Sequence, residues 1–150
     1  MPAFSPVEDF VASKTIAVVG VSRSGRKFGN TILNTLKSKG YRVIPVNRTA
    51  GTIAGERCYP DLRSIPAPVD GVVTVVPPAE TAQVVRDAVA AGITRVWMQQ
   101  GSESEEAVRV CRDNGISPVR GGCVLMYAAP VEGVHGFHRW LWRLLGRLQH

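Results

Sequence analysis

Short β-branched apolar runs alternate with segments of helical period, and glycines or prolines stand between them. Together these predict an α/β protein: three layers, with helices on both faces of a five-stranded and mainly parallel sheet. At 150 residues, with 45% apolar and 20% charged side chains, the chain has the size and composition of one globular domain. That balance excludes disordered, collagen-like and coiled-coil architectures.

The elements follow in order. Ser5 is placed to cap a short helix, with Pro6 at its first position and Glu8 completing a capping box. Residues 15–20 (TIAVVG) read as a strand buried on both faces, ended by Gly20. A Gly/Ser-rich loop (VSRSGRKFGN) leads into a helix on which Ile32, Leu33 and Leu36 share a face, stopped at Gly40. Residues 42–46 (RVIPV) form a second strand, and Pro45 requires a position where no ladder donor is needed. Residues 47–70 read as a long connection with one helical turn near 61–65. Strand 71–76 (GVVTVV) precedes helix 79–91, strand 95–98 (RVWM) precedes helix 103–114, and residues 117–120 make a fifth strand. Such an order places a ligand crevice beyond the carboxyl ends of the strands.

Charge is unevenly spread. Lys and Arg number 18 against 12 Asp and Glu, a net +6, and no acid occurs in residues 11–55. Lys14, Arg23, Arg26, Lys27, Lys37, Lys39, Arg42 and Arg48 all lie there, so this end suits an anionic ligand. Cys58, Cys111 and Cys123 have no metal-binding spacing, and the composition around them favours neither disulfide nor zinc. No apolar run nears the roughly 20 residues of a spanning helix, so no membrane insertion is expected. Acids and Pro in the first eleven residues, where a signal peptide would be basic then apolar, point to a cytoplasmic location.

The segment from Gly20 to Asn30 joins first strand to first helix, where a doubly wound fold offers backbone N–H groups to phosphate. Gly20 allows the turn, Ser22 offers a hydroxyl, Gly25 permits close approach, and Arg23, Arg26 and Lys27 bring charge. The pattern is not a dinucleotide fingerprint, because Ser22 replaces its second glycine. The second strand ends in Val46, Asn47 and Arg48 rather than the acid that holds NAD ribose hydroxyls. An amide and a cation suit a phosphorylated ribose, as in coenzyme A or NADP; a turn cap and a solvated charge are the structural alternative. With no G-K-[ST] in the chain, a Walker A loop is absent.

The succession IAVVGVSRSGRKFGN, GYRVIPVN, GERCYPDLRSIP, VDGVVTVVPPAE and VWMQQG resembles the small stand-alone coenzyme A-binding proteins of bacteria. It is similar also to the first domain of the succinyl-CoA synthetase alpha subunit and of ADP-forming acyl-CoA synthetases. The resemblance spans about residues 16–123, and PVN, CYP and WMQ at their places carry it more specifically than the glycine loop. It implies a Rossmann-like domain, taken as residues 1–132, that binds coenzyme A or an acyl-CoA; residues 133–150 read, from their own spacing, as a basic amphipathic helix. Under the resemblance, Gly20, Val21, Ser22, Arg23, Ser24, Gly25 and Lys27 would meet the phosphates. Pro45, Val46, Asn47 and Arg48 would border the adenosine end. Val76 and Pro77 would form an apolar wall, and Gln99, Gln100 and Gly101 would close the crevice. Gly121 and Gly122 depart from the more polar pair of relatives, and the stretch after Pro130 lies outside the shared pattern.

The synthetases need a further domain with a phosphorylated histidine, for which these 150 residues have no room, so binding without autonomous catalysis is expected. An NADP-dependent oxidoreductase, or a synthetase fragment that acts with a partner, is the enzymatic alternative. A regulatory module is the third reading, and the basic residues carry no nucleic-acid motif. Trp97 and Gln99 share a strand face, which allows either core packing or ligand contact. Cys123 stands near the crevice as a buried thiol or as a partner for a thiol ligand. His135, His138 and His150 fall in the tail, where Phe137, Trp140, Leu141, Leu144, Leu145 and Leu148 form one helical stripe and Arg139, Arg143 and Arg147 another. That helix could dock on its own domain, on a second copy or on a membrane surface.

Overall fold

The computed structural model describes residues 5–22, 24–25, 27–48 and 51–128. The tail helix, its histidines and the division at residue 132 lie outside these residues, as do Arg23 and Arg26. Helix α1 (Pro6–Val11) begins as its sequence dictates: the Glu8 amide donates to Ser5 Oγ at 3.2 Å, and Ser5 Oγ donates to Glu8 Oε1 at 3.3 Å. Strand β1 (Thr15–Val19) leads into α2 (Phe28–Ser38), then β2 (Arg42–Val46). A hairpin of β3 (Thr52–Ile53) and β4 (Glu56–Arg57) and a 3₁₀ turn (Leu62–Ser64) fill the long connection. Then come β5 (Gly71–Thr74), α3 (Pro78–Ala90), β6 (Val96–Gln99), α4 (Glu105–Asp113), β7 (Val119–Gly122) and a second 3₁₀ turn (Val124–Met126).

The main sheet has the order β2-β1-β5-β6-β7, and every neighbouring pair is parallel. The predicted fold class therefore holds: a Rossmann-like parallel sheet of five strands between helices. Pleat alternation divides the strands between two cores. Ile16, Val18, Val73 and Trp97 face α1 and α2, packing with Phe10, Ile32, Leu33 and Leu36. Ala17, Val72 and Met98 face α3 and α4, packing with Ala82, Val85, Ala88, Ala107 and Val108. Because β2 is an edge strand, Pro45 removes no donor the sheet requires, while its carbonyl accepts Tyr59 N at 3.2 Å.

Several boundaries differ from the sequence reading: β5 stops at Thr74, two residues early, α3 starts and ends one residue early, and α4 is shorter at both ends. β6 runs to Gln99 and β7 starts at Val119, each displaced toward the C-terminus, since Trp97 pairs with Val119 and Gln99 with Gly122. The hairpin β3–β4 was not expected; its turn residues Ala54 and Gly55 both take positive φ, 54° and 76°. At the amino end of the sheet, Asp70 Oδ2 accepts both the Lys14 amide at 3.0 Å and the Thr15 amide at 2.9 Å. These charge-assisted bonds, led by that from Thr15, hold the Asp70 carboxyl below its ordinary pKa.

Candidate functional site

The sheet order makes β1 the turning point: β2 lies on one side of it and β5 on the other, and α2, which follows β1, covers one face while α3, which follows β5, covers the opposite one. The loop after β1 is held there by close backbone contacts. Gly20 has φ +123°, and a Cβ at that position would sit 2.5 Å from the Val75 carbonyl oxygen. On its other side a Cβ at Gly29, in the first turn of α2, would collide with the Gly20 carbonyl oxygen. Only glycine at both positions lets β5, the loop and the helix meet.

Asn30, 2% exposed, then fixes the loop: its Oδ1 accepts the Ser22 amide and its Nδ2 donates to the Ser22 carbonyl, both at 2.9 Å. Gly25 N closes a turn on the same carbonyl at 3.2 Å, and the hydroxyls of Ser22 and Ser24 are 2.9 Å apart. Lys27 occupies the N-cap position of α2 without a side-chain cap, and no acid stands in the first turn. The helix N-terminus thus keeps amides and partial positive charge for an anion.

At the end of β2, Asn47 Nδ2 donates to the Val21 carbonyl at 2.9 Å, tying the strand end to the loop. Asn47 N donates to Tyr59 O at 2.9 Å, and the Cys58 thiol reaches the Asn47 carbonyl at 3.7 Å. Between this end, the loop and α3 lies a crevice of about 470 Å³. Its polar rim includes Lys27, Asn47 and Arg48; Val19, Val21, Val46, Leu62, Val76 and Val84 supply apolar wall.

Of the predicted site residues, Gly20, Val21, Lys27, Val46, Asn47, Arg48 and Val76 line this crevice. Ser22, Ser24 and Gly25 lie in the loop between two lining residues, Val21 and Lys27. Pro45 is buried in β2, and Pro77 is the exposed N-cap of α3. Gln99, Gln100 and Gly101 are not among the described lining residues. Gln99 is 2% exposed and its Oε1 accepts the Val124 amide at 2.7 Å, so this side chain anchors the segment after β7. Trp97 shares that face as core: its ring lies 5.4 Å from Phe10 and 5.5 Å from Tyr127, and Nε1 donates to Gly122 O at 3.2 Å.

Sequence reasoning missed Gly29 and Asn30, whose glycine and amide beside the loop were the available signals, and the far wall of Pro60, Asp61, Glu80, Gln83 and Asp87. It also missed a buried hydroxyl cluster that ties β5, α3 and the loop after β6. In it the Thr74 and Ser102 hydroxyls are 2.8 Å apart, and Thr81 Oγ1 donates to Ser102 O at 2.5 Å. Burial raises the thiol pKa of Cys58 and pushes that of Cys111 up to about 11. Among the described residues there is no cluster of three or more His, Cys, Asp or Glu able to hold a metal ion, and no helix long and apolar enough to cross a membrane.

The sequence pattern of the CoA binding domain matches residues 14–129. The chain belongs to this family. This CoA binding domain is 28% identical over 112 residues to an uncharacterized protein, YneT, of Bacillus subtilis, covering 75% of this chain and 83% of that one. It is 32% identical over 102 residues to acetate–CoA ligase [ADP-forming] II of Archaeoglobus fulgidus, a match over 67% of this chain but only 15% of the ligase. Its fold is similar to that of a conserved hypothetical protein from Pyrococcus furiosus, with a TM-score of 0.72 and 42% identity over 75% of this chain and 97% of the other.

Proposed function

We propose that the protein binds coenzyme A or an acyl-CoA with its adenosine in the crevice and its phosphates at the loop from Gly20 to Lys27, and that it catalyses no reaction alone. One observation carries this reading: an uncapped, acid-free helix N-terminus adjoins a crevice lined by Lys27 and Arg48 as well as by apolar side chains, in a chain of the CoA binding domain family. The loop amides and Lys27 suit the diphosphate, and Arg48 beside Asn47 suits a phosphorylated ribose. A volume of about 470 Å³ suits an adenine nucleotide, leaving the pantetheine arm to run over the ends of β5 and β6. Among the described residues, the titratable side chains lining the crevice are Lys27, Arg48, Asp61, Glu80 and Asp87, which include no nucleophile paired with a base.

Calorimetric titration with coenzyme A, its 3′-dephospho form and NADP tests the reading. Coenzyme A should bind most tightly, and more weakly as salt rises, because ion contacts at an open rim are screened. Ser22→Asp should weaken it at least about tenfold, equivalent to 1.4 kcal/mol, by setting a carboxylate against the phosphates. No heat with coenzyme A, or equal affinity in the Ser22→Asp protein, would overturn the placement.

A further inference from the structure

The far wall of the crevice is one face of α3, spaced as Ala79, Glu80, Gln83, Val84 and Asp87. Gln83 supplies its amide, and on this exposed face its Nε2 donates to Asp87 Oδ1 at 3.1 Å, one helical turn on. An ionised carboxylate only accepts, so Asp87 selects the nitrogen and leaves Oε1 and the second N–H of Gln83 for a ligand. An acceptor beside a donor is the complement of adenine, whose N6 amine donates next to a ring nitrogen that accepts. Guanine carries its O6 acceptor where adenine has the amine, so the same orientation sets oxygen against oxygen.

The surroundings fit a base rather than a phosphate. Leu62, Val76 and Val84 give apolar surface, and the lining cations Lys27 and Arg48 come from the loop after β1 and the segment just beyond β2, not from α3. Arg86 on α3 is committed to Glu106 at 2.7 Å, and Asp61 Oδ1 accepts Ser64 N at 2.9 Å and Ser64 Oγ at 2.8 Å. We propose that Gln83 is the base-reading residue of the crevice, selecting adenine over guanine, and that Asp87 is a positioning residue that prevents its amide from flipping. This rests on the crevice being the adenosine site.

The test titrates adenosine 3′,5′-bisphosphate and guanosine 3′,5′-bisphosphate into the wild-type protein and into the Gln83→Ala and Asp87→Ala variants. The wild type should prefer adenine by roughly tenfold or more. In Gln83→Ala that ratio should fall to within about threefold, with the salt dependence of adenosine bisphosphate binding kept, since the phosphate contacts remain. Asp87→Ala should lower the ratio too, chiefly by admitting guanine, which a merely structural role would not do. Gln83 is exposed on its helix and Ala is a good helix former, so melting should be unchanged. An undiminished adenine preference in Gln83→Ala overturns the inference. Failure of the wild type to bind either bisphosphate overturns instead the crevice assignment beneath it.

Discussion

Gly29→Ala sets two effects of known sign against each other. In a helix, Gly to Ala ordinarily stabilises by about 1 kcal/mol through backbone entropy. Here the new Cβ would stand 2.8 Å from the Gly20 carbonyl carbon and 3.2 Å from Val21 N, and nearer still to the Gly20 oxygen. Optimal carbon contacts lie at about 3.5–4.0 Å, so α2 and the loop must part by about 0.7 Å or more. The obstacle on both sides is backbone, and Gly20 cannot retreat because its other side rests against the Val75 carbonyl. Overpacking of this kind costs about 1–3 kcal/mol, which outweighs the propensity gain and leaves a net loss of about 1 kcal/mol. The larger consequence is for binding, because a site loses its geometry when displaced by more than about 0.5 Å. Coenzyme A affinity should fall at least about tenfold, and urea unfolding should show a lower midpoint at constant slope. A variant that gains about 1 kcal/mol and binds as before would show that α2 does not press on Gly20.

Two further perturbations test regions outside the crevice. Asp70 has a lowered pKa in the folded protein, so its contribution is present above the unfolded value and is lost as pH falls through the folded one. Asp70→Asn keeps an acceptor for the Lys14 and Thr15 amides but loses charge assistance, so it should cost about 1 kcal/mol at neutral pH. The deficit should vanish on the acid limb of denaturation curves, whereas a deficit constant from pH 7 to pH 2 would contradict the assigned bonds. A disulfide reagent used at pH 8 on native protein should modify Cys123 first, because Cys58 and Cys111 are buried with raised thiol pKa values. Mass mapping that found Cys111 modified first would refute the packing of α4 against the sheet.

The legible part of the chain was the part governed by short-range rules. β1, its loop and α2 follow from a β-branched run, glycines and a 3.6-residue stripe, and Ser5 with Glu8 gave the first helix its start. The hairpin β3–β4 was not legible, because its strands have two residues each and its turn is Ala54–Gly55, not one of the strong Asn-Gly or Asp-Gly signals. Half of the crevice was legible as well: Gly20, Lys27, Asn47 and Arg48 were recognisable by type and place. The opposite wall was not. Periodicity identifies the buried face of α3 through Thr81, Ala82, Val85 and Ala88, but which neighbouring face overlooks a crevice depends on sheet order. Gln99 shows the same dependence, since an amide at a strand end serves a ligand or the returning chain equally well until the Val124 amide is placed.

Asn30 grips Ser22 chiefly through main-chain atoms, at two bonds of 2.9 Å, and the Ser22 hydroxyl adds only a longer bond of 3.5 Å to Asn30 Oδ1 and its contact with Ser24. The seat for the anion and the chemistry displayed on it are therefore separable parts. A smaller residue there gives up the hydroxyl's two contacts but neither main-chain bond, so the path of the loop depends more on Asn30 than on the side chain it displays at position 22.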